Sequence, residues 1–244
     1  MRATLPVPLL LLACASPAMR ATLPPERTFA GDVAFLRQQR ETIVLVAPRG
    51  SGEIAVVPEF QGRVMTSSAR GGAGQSYGFL KDELIASREL ARGINVYGGE
   101  DRFWIGPEGG QFSVFFAPGT KEQTLASWQT PALIDTESYP VVEQSASAVR
   151  FARPARLVNA AGTVFDFAID RTLEVLDAQA ALAELGVTTK SIVAVAFESR
   201  NTLTNTGAEA WTKEHGLLSI WILGMFKPAA HTTIVLPLTL APVA

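Results

Sequence analysis

Thr42-Ile43-Val44-Leu45-Val46 and Glu53-Ile54-Ala55-Val56-Val57 stand on either side of Ala47-Pro48-Arg49-Gly50-Ser51-Gly52, and this stretch decides the fold class. β-branched side chains are stiff at χ1 and pack well on a pleated surface. Pro, Gly and Ser between the two runs supply turn chemistry, so the spacing predicts two strands joined by a hairpin or longer turn. Working outward, Arg63 to Ser67 reads as a third strand, and Gln111-Phe112-Ser113-Val114-Phe115-Phe116 as another, stopped by Pro118-Gly119. Ala148 to Phe151, Ala155 to Val158 and Thr163 to Ile169 follow, with Asn159-Ala160-Ala161-Gly162 as a turn. Asp166 interrupts the apolar residues of Val164 to Ile169, as a half-exposed strand requires. Ile192 to Glu198, Gly216 to Phe226 and Thr232 to Leu240 complete the strands. One helix is expected after Asp177 as N-cap, over Ala178 to Leu185 with Gly186 at C′, and a second from Phe79 to Leu90. Many strands with few helices predict a mainly β chain, a sandwich or barrel.

The 244 residues are 48% apolar and 18% charged, enough to bury a sizeable core and unlike a disordered chain. The net charge of −2 and the absence of a basic run argue against a nucleic-acid partner.

Cys14 is the only cysteine, so no intramolecular disulfide can form. Met1-Arg2 offers a minimal basic start and Leu5 to Ala13 a short apolar run, too short to span a bilayer. Leu11-Leu12-Ala13-Cys14 then reads as a lipobox, in which cleavage precedes a cysteine that becomes lipid-modified. Ala13-Cys14-Ala15 also satisfies the small-x-small rule of ordinary leader cleavage. Lipidation is favoured because it explains the position of the single cysteine. The expected organisation is a leader over 1–14, a proline-bearing tether over 15–30 and one β domain over 31–244. Met1-Arg2-Ala3-Thr4-Leu5-Pro6 recurs as Met19-Arg20-Ala21-Thr22-Leu23-Pro24, a short duplication without a repeat architecture. Leu236-Pro237-Leu238-Thr239-Leu240 reads as a strand that continues, so the domain is expected to be C-terminally truncated at Ala244.

The richest chemistry lies in Gly98-Gly99-Glu100-Asp101-Arg102-Phe103-Trp104-Ile105-Gly106-Pro107-Glu108-Gly109-Gly110-Gln111-Phe112. Carboxylates, a guanidinium, an indole and glycines suit a polar, ring-shaped ligand such as a sugar. They also suit a Gly-rich loop whose carboxylates bond its own amides and Arg102. This segment, together with Asn205-Thr206-Gly207, Trp211 and Gly216-Leu217-Leu218-Ser219-Ile220-Trp221-Ile222-Leu223-Gly224-Met225-Phe226, resembles an uncharacterised family of bacterial exported lipoproteins. That family in turn is similar to the galactose-mutarotase-like superfamily. The resemblance implies a β-supersandwich with a carbohydrate- or polyol-binding groove on one sheet, using Glu100, Arg102, Trp104, Glu108, Gln111 and Trp221. Aldose epimerases of that superfamily use a histidine acid and a late carboxylate base. Here Gly224-Met225-Phe226 replaces the typical histidine–aromatic pair, and the late carboxylate falls beyond Ala244.

Ring opening of an aldose needs a base at the anomeric hydroxyl and an acid at the ring oxygen. Of the two histidines, His215 precedes a strand and is the candidate acid, paired with Glu108, while His231 reads as turn surface. His215 equally fits a polar surface turn. Trp104 and Trp221 both also read as core aromatics, Trp221 the more so between Ile220 and Ile222. Alternation sets Ser219, Trp221 and Leu223 on one face and Ile220, Ile222 and Gly224 on the other, one of which would serve as a sugar platform. A non-catalytic envelope module would use the same surface without acid–base chemistry.

A rival is Gly74-Gln75-Ser76-Tyr77-Gly78, which matches a serine-hydrolase nucleophile elbow, with Asp166 or Asp170 and then His215 or His231 in chain order. The loop-like Thr66 to Ala73 before it lacks the required strand. The glycines at 71, 72 and 74 lack a phosphate loop's Lys-Ser/Thr ending, and no His-Glu-x-x-His, cysteine pair or calcium loop appears. No cofactor and no motif-defined metal are expected, with Asp101 and Glu108 left as possible cation ligands. The expected place is the periplasm or outer membrane, reached by export and held through the lipid. Labelling with a radioactive fatty acid should mark the wild-type chain and not Cys14→Ser; equal labelling, or none in either, would remove the anchor.

Overall fold

A computed structural model describes residues 27–187, 191–230 and 232–236, so Cys14 and His231 lie outside the described residues. Among the described residues the strands form three antiparallel sheets. The first contains β1 (Ile43–Val46), β2 (Glu53–Val57) and β3 (Arg63–Ser68) in that order. β4 (Arg102–Gly106) pairs with β9 (Ser219–Leu223) as a two-stranded ribbon. β5 (Val141–Gln144), β6 (Ala148–Val158), β7 (Val164–Leu176) and β8 (Ala196–Asn205) form the third sheet, in sequence order.

The hairpin expected around Pro48–Gly52 is present: Ile43 faces Val56, Val46 faces Glu53, and Ala47 N donates to Gly52 O (2.8 Å). β2 is buried on both faces. Ile54 and Val56 join β3's Val64 in one apolar cluster with Phe151, Phe165, Phe167, Ile169 and Leu173 of the four-stranded sheet. Ala55 and Val57 join Met65 in a second cluster on the opposite face. The first sheet is thus a central layer, with the four-stranded sheet against one face, a sandwich arrangement.

The other face is covered by α1 (Phe29–Gln39), which the sequence reading did not foresee and which begins inside the expected 15–30 tether. Thr28 caps it by accepting from Gly31 N (3.2 Å), and Phe29, Val33 and Leu36 fall at i, i+4 and i+7 on its buried stripe. Only these three apolar residues of the helix are fully buried, with Phe35 half-buried against the same cluster, too few to stand out against the β-rich remainder.

β7 shows the alternation read from its sequence, with Phe165, Phe167, Ile169, Leu173 and Val175 inward and Asp166 outward, paired with Arg156 (2.6 Å). The two runs expected at 148–151 and 155–158 form one strand through Pro154, which lies past the end of β5, where the lost N–H breaks no ladder bond. Asp177 caps α4 (Ala178–Glu184) by accepting from Gln179 N and Ala180 N, and Gly186 follows at φ +72°. The Phe79–Leu90 helix shrinks to α2 (Asp82–Ser87), ended by Arg88 at φ +57°. A four-residue turn, α3 (Ala132–Asp135), was not expected.

Gln111–Phe116 is not a strand. Ser113 N donates to Gly110 O (3.1 Å) and Val114 N to Pro107 O (3.1 Å), so local turns use the donors that a ladder would need. Its apolar residues register burial instead, because Phe115 stacks on Trp104 and against Trp128. β8 starts four residues later than Ile192 and runs on to Asn205, and only Ser219–Leu223 of the Gly216–Phe226 run is extended. Residues 232–236 form no strand, and 237–244 lie outside the described residues.

Gly98 is the tightest glycine in this arrangement. At φ +91° its added Cβ would lie 2.0 Å from Phe79 O, the acceptor of Gly99 N. Gly98→Ala should lose more than the about 1–2 kcal/mol that positive φ alone costs an alanine. Gly50→Ala, at φ +82° with nothing within 4 Å of a Cβ, should lose no more than that. Denaturant unfolding of both variants checks the order, and equal losses would contradict the crowding at Gly98.

Candidate functional site

The two segments singled out in the sequence lie side by side. β4 and β9 pair so that Arg102 faces Leu223, Trp104 faces Trp221 and Gly106 faces Ser219. Directly paired residues share a face, so these six lie on one side of the ribbon. Phe103 and Ile105 occupy the other side, inside the main apolar cluster.

Three of the proposed ligand contacts prove to be internal. Arg102 is buried, pairs with Asp135 (2.8 Å), donates to Asn95 O (3.2 Å) and Ile134 O (3.3 Å), and lies 4.2 Å over the Trp104 ring. Trp104 is 2% exposed, stacks on Phe115 at 5.4 Å, and donates Nε1–H to Glu108 Oε1 (2.7 Å). Glu100 is buried and accepts from both Ser67 N and Ser67 Oγ at 2.7 Å. These side chains support the surface from beneath. A sequence window cannot separate a guanidinium aimed at a ligand from one aimed at an aspartate 33 residues on.

Trp221 reverses its core reading: its indole is 39% exposed and meets the edge of Trp104 at 6.1 Å. Glu108 is half-buried and Gln111 exposed. Gly106 is buried and closely approached by the partner strand. A Cβ placed there would stand 2.8 Å from Ser219 Oγ, 3.8 Å from Trp221 Nε1 and 3.9 Å from Glu108 N. Three hydrogen-bond donors therefore surround one bare α-carbon, beside an exposed aromatic ring.

His215 is exposed. Its backbone N donates to Thr212 O (3.2 Å), its carbonyl accepts from Asn159 Nδ2 (2.9 Å), and no hydrogen bond joins it to Glu108 among the described residues. The proposed acid–base pair is thus not assembled by direct contact. Ser76 has no solvent access. It is bonded to Thr66 Oγ1 (2.6 Å) and donates to Asp32, which also takes Arg27 Nε (2.5 Å) and Lys227 Nζ (2.9 Å). Asp166 and Asp170 sit in exposed ion pairs with Arg156 and Arg150. The parts of a nucleophile elbow are therefore dispersed. Asp101 bonds Arg171 and Ser199 Oγ (2.8 Å), and no group of three or more His, Cys, Asp or Glu is placed to hold a metal ion among the described residues.

The fold and surface define a mainly β protein with antiparallel sheets and an aromatic surface on a two-stranded ribbon. The chain belongs to a family of unknown function, DUF6786, whose pattern matches residues 27–242. No curated protein and no solved structure matches it.

Burial pushes the Glu100 carboxyl up to about 7, although the Ser67 bonds and nearby Lys227 pull it down. Its ordinary value is 4.5, so between these limits the folded state holds a proton that the unfolded state has released. Glu100 therefore favours folding below about pH 4.5, and this contribution is lost as pH rises through about 7. Melting temperature should fall across that window in the wild type and fall less in Glu100→Gln; parallel profiles would refute the assignment.

Proposed function

We propose that the protein binds a carbohydrate or polyol, without catalysing a reaction, on a mutarotase-like β-sandwich that is exported and held to the envelope through Cys14. The observation that carries this reading is the half-exposed Trp221 ring, on the ribbon face that also carries Ser219. Trp221 Nε1, Glu108 N and Ser219 Oγ all lie within 4 Å of where a Cβ on Gly106 would stand. Hydroxyl oxygens are acceptors for such donors, and a pyranose presents an apolar C–H face that an indole covers well. The Glu108 carboxylate, held by Trp104 Nε1, remains at the rim to accept a hydroxyl proton, with Gln111 nearby in sequence and exposed. Glycine is needed at 106 because even a methyl would crowd Ser219 Oγ.

A panel of mono- and oligosaccharides should contain at least one that raises the melting temperature and changes tryptophan fluorescence. Trp221→Ala should abolish both, and Gly106→Ala, whose methyl would push against Ser219 Oγ, should weaken binding about tenfold. Trp104→Ala is the wrong probe, since emptying this core position should cost about 3–5 kcal/mol in stability. A sugar bound equally by wild type and Trp221→Ala would overturn the reading.

A further inference from the structure

A concavity of about 230 Å³ lies between residues 90–95 and 126–136, and neither Gly106 nor Trp221 lines it. We infer that it is a binding site for a single hydroxylated carboxylate of pyranose size, such as a uronic acid. Its floor is rigid. Asn95 N (3.0 Å) and Asn95 Nδ2 (2.7 Å) donate to Asp135, whose carboxylate also holds Arg102, and Asn95 Oδ1 accepts from Ala91 N (2.7 Å). Asp135 is thereby fully engaged and offers a ligand no spare negative charge.

The opposite wall is made by Trp128, Gln129 and Thr130. Trp128 packs on Phe115 at 4.5 Å and edge-on against Phe116, so its ring is held in place. Its Nε1–H donates to Thr130 Oγ1 (2.8 Å), which leaves the threonine hydroxyl proton to donate onward. Thr130 N donates to Gly93 O (3.2 Å) and ties the two walls together. An aromatic ring, a hydroxyl and an amide around a space of this size fit a sugar ring.

Charge selects the acid. Arg92 lines the mouth, is exposed, and forms no ion pair among the described residues. Behind the floor lie two more guanidiniums. Arg102 is neutralised by Asp135, whereas Arg63 is wholly buried and donates only to Gly98 O (2.9 Å) and Gln61 Oε1 (3.3 Å). Nε of both Arg63 and Arg102 lacks an acceptor. Burial and the Arg102 charge lower the affinity of Arg63 for its own proton, as an uncompensated positive region requires. Around one committed carboxylate there are three guanidiniums, and the accessible one has the fork geometry that takes a carboxylate in two hydrogen bonds.

Titration calorimetry with D-glucuronate and D-glucose tests this on the full chain. Glucuronate should bind about tenfold or more tightly than glucose, and added salt should weaken it. Arg92→Ala, at an exposed position without a partner, should fold normally and lose that preference, while Arg92→Lys should keep part of it. Trp221→Ala should leave glucuronate binding unchanged, which separates this site from the one at Trp221. Glucuronate and glucose bound alike, no glucuronate binding, or glucuronate binding kept in Arg92→Ala would each overturn the inference. If glucuronate binding is lost in Trp221→Ala alone, the ligand sits at Trp221 and only the present inference fails.

Discussion

The Arg171 guanidinium is the charge that the rest of the structure is arranged around. It stands in the inward stripe of β7, among Phe167, Ile169 and Leu173, with no solvent contact. An isolated cation there would be costly to desolvate, and it persists because nearly every donor is matched. It donates to Gly62 O (3.2 Å), Asn201 Oδ1 (2.5 Å), Asp101 O (3.1 Å) and the Asp101 carboxylate. Asp101 in turn accepts from Ser199 Oγ. One side chain therefore ties the four-stranded sheet to the turn before β3 and to the entry of β4. It is this tie that orients the ribbon carrying Trp104 and Gly106.

A second buried pair, Arg102 with Asp135, acts on the neighbouring excursion. The segment from Pro107 to Thr136 leaves β4, covers the Arg102 and Trp104 end of its face, and returns under Asp135. That cover stops short of β9, so Trp221 and Ser219 remain accessible while Trp104 does not. The same excursion forms the wall of the concavity at Trp128. Both proposed binding places are thus by-products of how one long segment is pinned by one ion pair.

Much of the architecture was legible because its causes are local. β-branched runs around Pro48–Gly52 marked two strands joined by a hairpin or longer turn, and Asp177 with Gly186 bracketed α4 by capping chemistry. The alternation in Val164–Ile169 betrayed a half-exposed strand. What failed was non-local. Gln111–Phe116 has a strand's composition, but Pro107 and Gly110 capture its amides. α1 has only a three-residue stripe and is stabilised by the Ala55, Val57 and Met65 face that it covers. The two segments singled out in the sequence are paired by the fold as β4 and β9, and the burial of Glu100, Arg102 and Trp104 was not legible in them.

The sequence by itself determined a mainly β chain, the strands around the first hairpin, and the two segments that meet as β4 and β9. Those follow from χ1 stiffness, capping and side-chain period, which act within a few residues. Only the tertiary structure decided that Glu100, Arg102 and Trp104 face inward, that Trp221 faces out, and that Ser76 is sealed beside Asp32. The partners of Glu100, Arg102 and Ser76, which are Ser67, Asp135 and Asp32, lie far away in the chain, and a polar side chain's role is set by whichever charge or donor the fold brings within hydrogen-bond reach.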